Sequence, residues 1–208
     1  MARPKEFDPE TALRAAMETF RRRGYEGTSV QDLVDALGIN RSSMYAAFGS
    51  KHDLYLKALE RYGADERAKA EAELAGGGPA LPALRAFLLS YVDAALTDAE
   101  RNGCLVTHGL MERVPGDPQA TTRLRAALRG MEDAYSALLL QARANGELAP
   151  STDVKRVARF LVTFTQGLRV MEKAADREYL TEAVDQALSV FRAGPMGRPR
   201  GPETALPT

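Results

Sequence analysis

The chain has a single cysteine and no tryptophan among its 208 residues. One thiol excludes an intrachain disulfide, so packing alone must hold the fold. Histidine occurs only at positions 52 and 108, which leaves few groups for acid–base or metal chemistry. No Gly-x-Ser-x-Gly elbow, phosphate-binding loop or paired-cysteine metal signature is present. An enzyme on a helical scaffold is therefore a poor reading, and no cofactor or resident metal is expected. A charge excess of either sign is also missing, because Lys plus Arg and Asp plus Glu number 28 each. Bulk attraction to nucleic acid is thereby excluded, and any DNA affinity must come from local placement of cations. No apolar run approaches the roughly 20 residues of a membrane span, and the N-terminus lacks a signal-peptide pattern. These absences suggest a soluble, cytoplasmic chain with no membrane partner. Strand-like alternation is hard to find, whereas Ala, Leu, Arg and Glu dominate, which favours helix almost throughout.

What is present is concentrated in residues 28–55. A helix is expected to open at Thr28, with Gln31 three residues on as its capping-box partner. Leu33, Val34 and Leu37 repeat at helical spacing. Gly38 suits a tight turn, Ile39 plugs it, and Asn40 caps a second, short helix. Met44 and Phe48, at i and i+4, face the core of that helix. Arg41, Ser42, Ser43 and Tyr45 are left outward, a set suited to a major groove and its flanking phosphates.

This stretch resembles the DNA-binding domain of the TetR family of bacterial transcriptional regulators. The resemblance rests on Phe20, Gly24, Tyr25, Thr28, Leu33, Gly38, Ser43, Met44, Tyr45, Phe48, Lys51 and Leu54, and spans roughly residues 7–60. It implies an all-α fold: a three-helix helix-turn-helix head over 1–50, then a helical regulatory and dimerisation domain over 51–193. It further implies a homodimeric, nucleoid-associated repressor that binds a palindromic double-stranded DNA operator and is released by a small-molecule inducer. Thr28, Arg41, Ser42, Ser43, Tyr45 and Lys51 are the implied DNA-binding residues. Alanine at 46 and 47 departs from the bulkier residues often found there. That shifts readout toward Arg41, Ser43 and Tyr45, and leaves open a helical interaction module without DNA binding. Arg3 and Lys5 lie in the arm where the family meets DNA, whereas Arg21, Arg22 and Arg23 can simply complement a helix dipole.

Along the rest of the chain, Asp8-Pro9 signals a first helix that Gly24 stops. Ser50 and Asp53 open a long helix from Lys51 to about Leu74. Gly76-Gly77-Gly78-Pro79 is the clearest break. Helices are then expected near 80–99, 104–113 and 117–144, followed by one opening at Ser151 or Asp153 and a final one. Val157, Phe160, Leu161, Phe164, Leu168 and Met171 form one apolar stripe; Leu180, Val184, Ala187, Leu188 and Phe191 form another. By resemblance these last two helices make a four-helix dimer interface, with Phe160, Phe164, Leu168, Leu188 and Phe191 at its centre. Ala158, Gly167, Ala183 and Ala187 would permit close approach.

Polar residues inside apolar stripes are the expected ligand contacts: Tyr91, Cys104, His108, Tyr135, Thr163 and Gln166. Each could equally be a satisfied core or surface residue. Cys104 opens a short helix, with His108 and Glu112 at i+4 and i+8 on one face. Three readings stand for it: a small buried apolar residue, a redox- or electrophile-sensing thiol, and a weak metal ligand. From Gly194 the tail is Gly-, Pro- and Arg-rich, which predicts disorder; Gly197-Arg198-Pro199-Arg200-Gly201 resembles the core of an AT-hook.

Overall fold

The computed structural model describes residues 8–76, 78–97 and 103–192. The arm with Arg3 and Lys5, the tail from Gly194, and Gly77 and Asn102 lie outside the described residues. Those described form helices and turns, with no strand among them. In chain order the helices are α1 (Pro9–Arg23), α2 (Val30–Leu37), α3 (Arg41–Phe48), α4 (Lys51–Leu74), α5 (Ala80–Thr97), α6 (Leu105–Glu112), α7 (Pro118–Ala144), α8 (Val154–Met171) and α9 (Arg177–Arg192).

Local chemistry sets most of these boundaries. Asp8 accepts from the N–H groups of Glu10 and Thr11, with Pro9 behind it. Ser50 and Asp53 form the reciprocal capping box that opens α4. Asn40 caps α3 through Ser43 N at 2.8 Å. The start of α2 differs from expectation. Its cap is Ser29, paired with Asp32, rather than Thr28 with Gln31. Thr28 is buried, and its hydroxyl donates to the carbonyl of Gly24 at 2.6 Å. Gln31 instead donates to Asp35.

Two cores form. The first joins α1–α3 to the first half of α4, and also takes in Cys104, Leu105 and Val106 together with Ala120 and Leu124 of α7. The second lies among α5, α7, α8, α9 and the end of α4. α4 packs along α7, α7 against α8, and α9 against α5. The expected division after residue 50 falls at the cap of α4, yet packing runs unbroken across it. α5 is long and apolar enough to cross a membrane by length and composition. Its Leu84, Phe87, Leu88, Tyr91 and Val92 are instead buried in the second core.

The apolar stripes of α8 and α9 divide differently from expectation. Leu168 and Leu188, expected at a subunit interface, are buried within the protomer, Leu188 to 2% exposure. They face the second core, because α8 must cover α7 and α9 must cover α5. Phe160 is 45% exposed. It stacks on half-buried Phe164 at 6.0 Å and meets half-buried Phe191 edge-on at 6.3 Å.

Candidate nucleic-acid interface and regulatory centre

α3 presents Arg41, Ser42 and Tyr45 to solvent, with Ser43 partly exposed. Beneath them Met44 and Phe48 are buried in the first core. Burying two such side chains contributes about 1.5–3 kcal/mol each, which fixes the roll of this short helix. Gly38 makes the turn before it in the left-handed conformation at φ 64°. Ala46 and Ala47 are also exposed, so that flank of α3 carries no long side chain.

Lys51, the first residue of α4, lies with Nζ 4.2 Å from the centre of the Tyr25 ring. Burial, above all, lowers its pKa from the usual lysine value. The Tyr25 ring also meets the Arg113 guanidinium, 4.3 Å from its centre. Thr28, buried beneath this corner, positions the chain between α1 and α2 and has no exposed hydroxyl to offer a phosphate. That corrects its expected role as a DNA contact.

The link from this head to the rest of the chain runs through α6. Glu112, the last residue of α6, accepts the backbone N–H of Tyr25 at 2.6 Å and that of Glu26 at 3.3 Å. Gly24 makes this approach possible. Its φ is 72°, and a Cβ there would collide with the Glu112 carboxylate. Arg113 pairs with Glu26 at 2.5 Å and with Asp117 at 3.1 Å. His52 of α4 donates to Asp117 at 2.7 Å. Burial alone would raise the Asp117 pKa. Hydrogen bonds from Ala120 N, His52 and Arg113 outweigh it and hold the value at about 2.

The expected ligand residues separate into groups. Tyr135 is fully buried and bonds Thr165 at 2.7 Å. Thr165 donates its own proton to the carbonyl of Leu161, so Tyr135 is the donor of that pair. Thr163 does not join them. It is exposed on α8 and donates to the carbonyl of Arg159. Gln166 accepts from Thr107 at 3.0 Å. Tyr91 is buried, and its hydroxyl has no hydrogen-bond partner among the described residues. Cys104 is free and buried at the N-cap of α6, beside the hydroxyl of Tyr62. His108 lies 3.8 Å from Glu112. Burial, then the neighbouring Lys173 ammonium, lowers its pKa, so at neutral pH its Nε2 accepts from Lys173 Nζ at 3.1 Å. His108 and Glu112 thus stand together, with the Glu112 carboxylate also holding Tyr25, whereas the Cys104 thiol turns to Tyr62.

Sequence reasoning missed the residue at the centre of this region. Arg169 of α8 is buried. Its guanidinium donates to the Tyr62 hydroxyl, lies 4.5 Å from the centre of the Tyr91 ring, and stands 3.7 Å from Glu66. Burial opposes its charge. The surrounding Tyr62, Cys104, Glu66 and Glu172 nonetheless raise its pKa well above the usual arginine value. A signal for it existed, since Arg169 falls in step with Ala158, Leu161 and Thr165 on the buried face of α8.

Residues 12–58 match the model for bacterial regulatory proteins of the tetR family. Residues 80–188 match that for the tetracyclin repressor-like C-terminal domain. The chain is 37% identical over 194 residues to the uncharacterised HTH-type transcriptional regulator YezE of Bacillus subtilis (strain 168), covering 92% of this chain and 100% of that one. It is 33% identical to the HTH-type transcriptional repressor ComR of Escherichia coli (strain K12), over 91% of each. Among solved structures it resembles a cysteine mutant of the TetR-family transcriptional regulator CifR complexed with 26-base-pair double-stranded operator DNA. The TM-score there is 0.81 and the identity 32%, covering 91% of this chain and 100% of that one.

Proposed function

The chain belongs to the TetR family of DNA-binding, non-enzymatic transcriptional regulators, and from that premise we propose that it is a ligand-responsive repressor acting as a homodimer on a palindromic operator. One observation carries the DNA assignment. Arg41, Ser42, Ser43 and Tyr45 form the outer face of a short helix locked from below by Met44 and Phe48. Arg41 and Tyr45 reach base edges or phosphates, Ser42 and Ser43 hydrogen-bond alongside, and Lys51 supplies positive charge at the start of α4. The resemblance to a regulator complexed with its operator supports the same face.

Dimerisation through α8 and α9 is supported by the aromatic patch of Phe160, Phe164 and Phe191, with Tyr179 and Val190 also exposed. Gly167 has open space where a Cβ would stand, which suits close helix approach. The reading head ends at residue 50, and residues 51–193 regulate it. Release by a small molecule is supported by α6, which has Cys104 at its N-cap, His108 midway and Glu112 at its end. A ligand that shifts α6 therefore alters the position of Tyr25 and Glu26.

Footprinting on genomic fragments selected by the protein tests this reading. The expected result is an inverted repeat with two equivalent half-sites, lost steeply as salt rises. Protection of a site without twofold symmetry would overturn the homodimer model.

A further inference from the structure

Both histidines of the chain stand beside carboxylates at the junction between head and regulatory half. His52 is paired with Asp117 at 2.7 Å. His108, on α6, is half-buried, and each of its ring nitrogens faces a charged group. Nε2 accepts from the Lys173 ammonium at 3.1 Å, which fixes a neutral ring with its proton on Nδ1. Nδ1 in turn faces Oε1 of Glu112 at 3.8 Å. The other oxygen of that carboxylate, Oε2, holds the N–H groups of Tyr25 and Glu26. Gly103 leaves room for the arrangement: its φ is 71°, and a Cβ there would come within 2.7 Å of Lys173 Cε. A line of contacts thus runs from Lys173 through His108 and Glu112 to the reading head.

We propose that His108 is a proton-operated switch on this tie: its protonation draws Glu112 off the Tyr25 and Glu26 N–H groups and lowers operator affinity in mild acid. The added proton has to enter at Nε2, where the Lys173 ammonium already stands. Two cations at that separation repel, so the imidazolium leaves Lys173 and closes on the Glu112 carboxylate. The state that grips the head therefore binds a proton more weakly than the released state, and by linkage acid favours release. Burial, then Lys173, keeps the His108 pKa below the ordinary histidine value, so the switch lies on the acid side of neutrality. The other groups packed around α6 are engaged elsewhere. Tyr55 of α4 brings its hydroxyl against Gly109. Tyr62 of α4 meets Cys104 and Arg169, and the Arg169 guanidinium is turned to Tyr62, Tyr91 and Glu66. Asp117, at the cap of α7, is held by His52 and Arg113 at a pKa of about 2. Glu172 is faced by Arg169, Lys173 and Arg21, and burial raises its pKa. His52 and Glu172 are the groups to be separated from His108.

The switch rests on the repressor reading above, and the two are tested separately. Operator affinity of the full chain is measured from pH 7.5 to 5.5 at fixed salt. The histidine ring resonances and the Tyr25 and Glu26 amide resonances are followed over the same range without DNA. Affinity should fall at least about fivefold toward pH 5.5, against the gain that added positive charge gives phosphate binding in general. Both amides should move with the His108 midpoint. His108→Asn should flatten both responses, which excludes Glu172 as their source, and His52→Gln should leave them in place. Lys173→Met, at an exposed position, should move the His108 midpoint up because the opposing cation is gone; it tests the same contact should His108→Asn melt early. Affinity that rises or stays level in acid, amides that ignore the His108 titration, or responses that survive His108→Asn would overturn the proposal. So would an unmoved midpoint in Lys173→Met. Failure to retain any operator at pH 7.5 would instead sink the repressor reading, while the amides still decide whether His108 acts on the head.

Discussion

Glu112 and Tyr25, 87 residues apart in sequence, are joined by a 2.6 Å hydrogen bond from the Tyr25 backbone N–H to the Glu112 carboxylate. A surface loop of the reading head is thus fastened to the end of a helix in the regulatory half. Glu112→Ala leaves that partly buried N–H without its acceptor. The expected cost is about 1–3 kcal/mol of stability. Glu112→Gln keeps an acceptor oxygen and should lose less. Thermal unfolding of the two variants checks the order, and an alanine variant as stable as the parent would show that the bond holds nothing.

Asp117 provides a pH-dependent contribution at the same junction. Its pKa is about 2 in the folded chain against an ordinary 3.8. A depressed folded value means the stabilisation is fully present above about pH 4. It is lost as pH falls toward 2, because the unfolded chain takes up the proton first. The difference corresponds to about 2 kcal/mol. Asp117→Asn should be less stable than the parent at neutral pH, and the gap should close through that acid window. Denaturant melts at pH 6, 4 and 2 measure it. A gap that stays constant across the three would rule out Asp117 as the source.

On the DNA side, Arg41→Ala should weaken operator binding by about 1–3 kcal/mol if Arg41 makes a bidentate base contact, and should relax preference at one position of each half-site. Lys51→Ala should weaken all sequences alike and reduce the salt dependence. Competition binding against a library of single-base operator variants separates the two behaviours. Uniform weakening by Arg41→Ala would reassign it to a phosphate.

For assembly, Phe160→Glu should yield a folded protomer with impaired dimerisation and weakened operator binding, since a single half-site holds poorly. Leu188→Glu should fail differently: it places a charge in the protomer's own core and should unfold the regulatory half. Sedimentation together with circular dichroism distinguishes the two. A Phe160→Glu variant that sediments as a tight dimer would move the interface elsewhere.

Much of the architecture could be read from local chemistry. Asp8-Pro9, Asn40 and the Ser50–Asp53 pair each act within three or four residues, so their caps follow from sequence order alone. The outward set on α3 was legible for the same reason, because helical period fixes which residues oppose Met44 and Phe48. At the start of α2, Thr28 and Ser29 are adjacent candidates with acceptable partners at Gln31 and Asp32. The choice fell to Ser29 because Thr28 is buried against Gly24, a tertiary circumstance.

The sequence by itself determined the helices, most of their caps and which side chains of α3 point outward, all of which depend on short-range spacing. Only the tertiary structure decided which side of each apolar stripe faces inward. A period of 3.6 residues marks a stripe but does not say which neighbouring helix covers it. Leu168 and Leu188 consequently went to the protomer's core and Phe160 to the surface. The same limit hid Arg169. Its partners Tyr62, Glu66 and Tyr91 are brought to it from two other helices, and only their convergence makes a buried cation stable enough to exist.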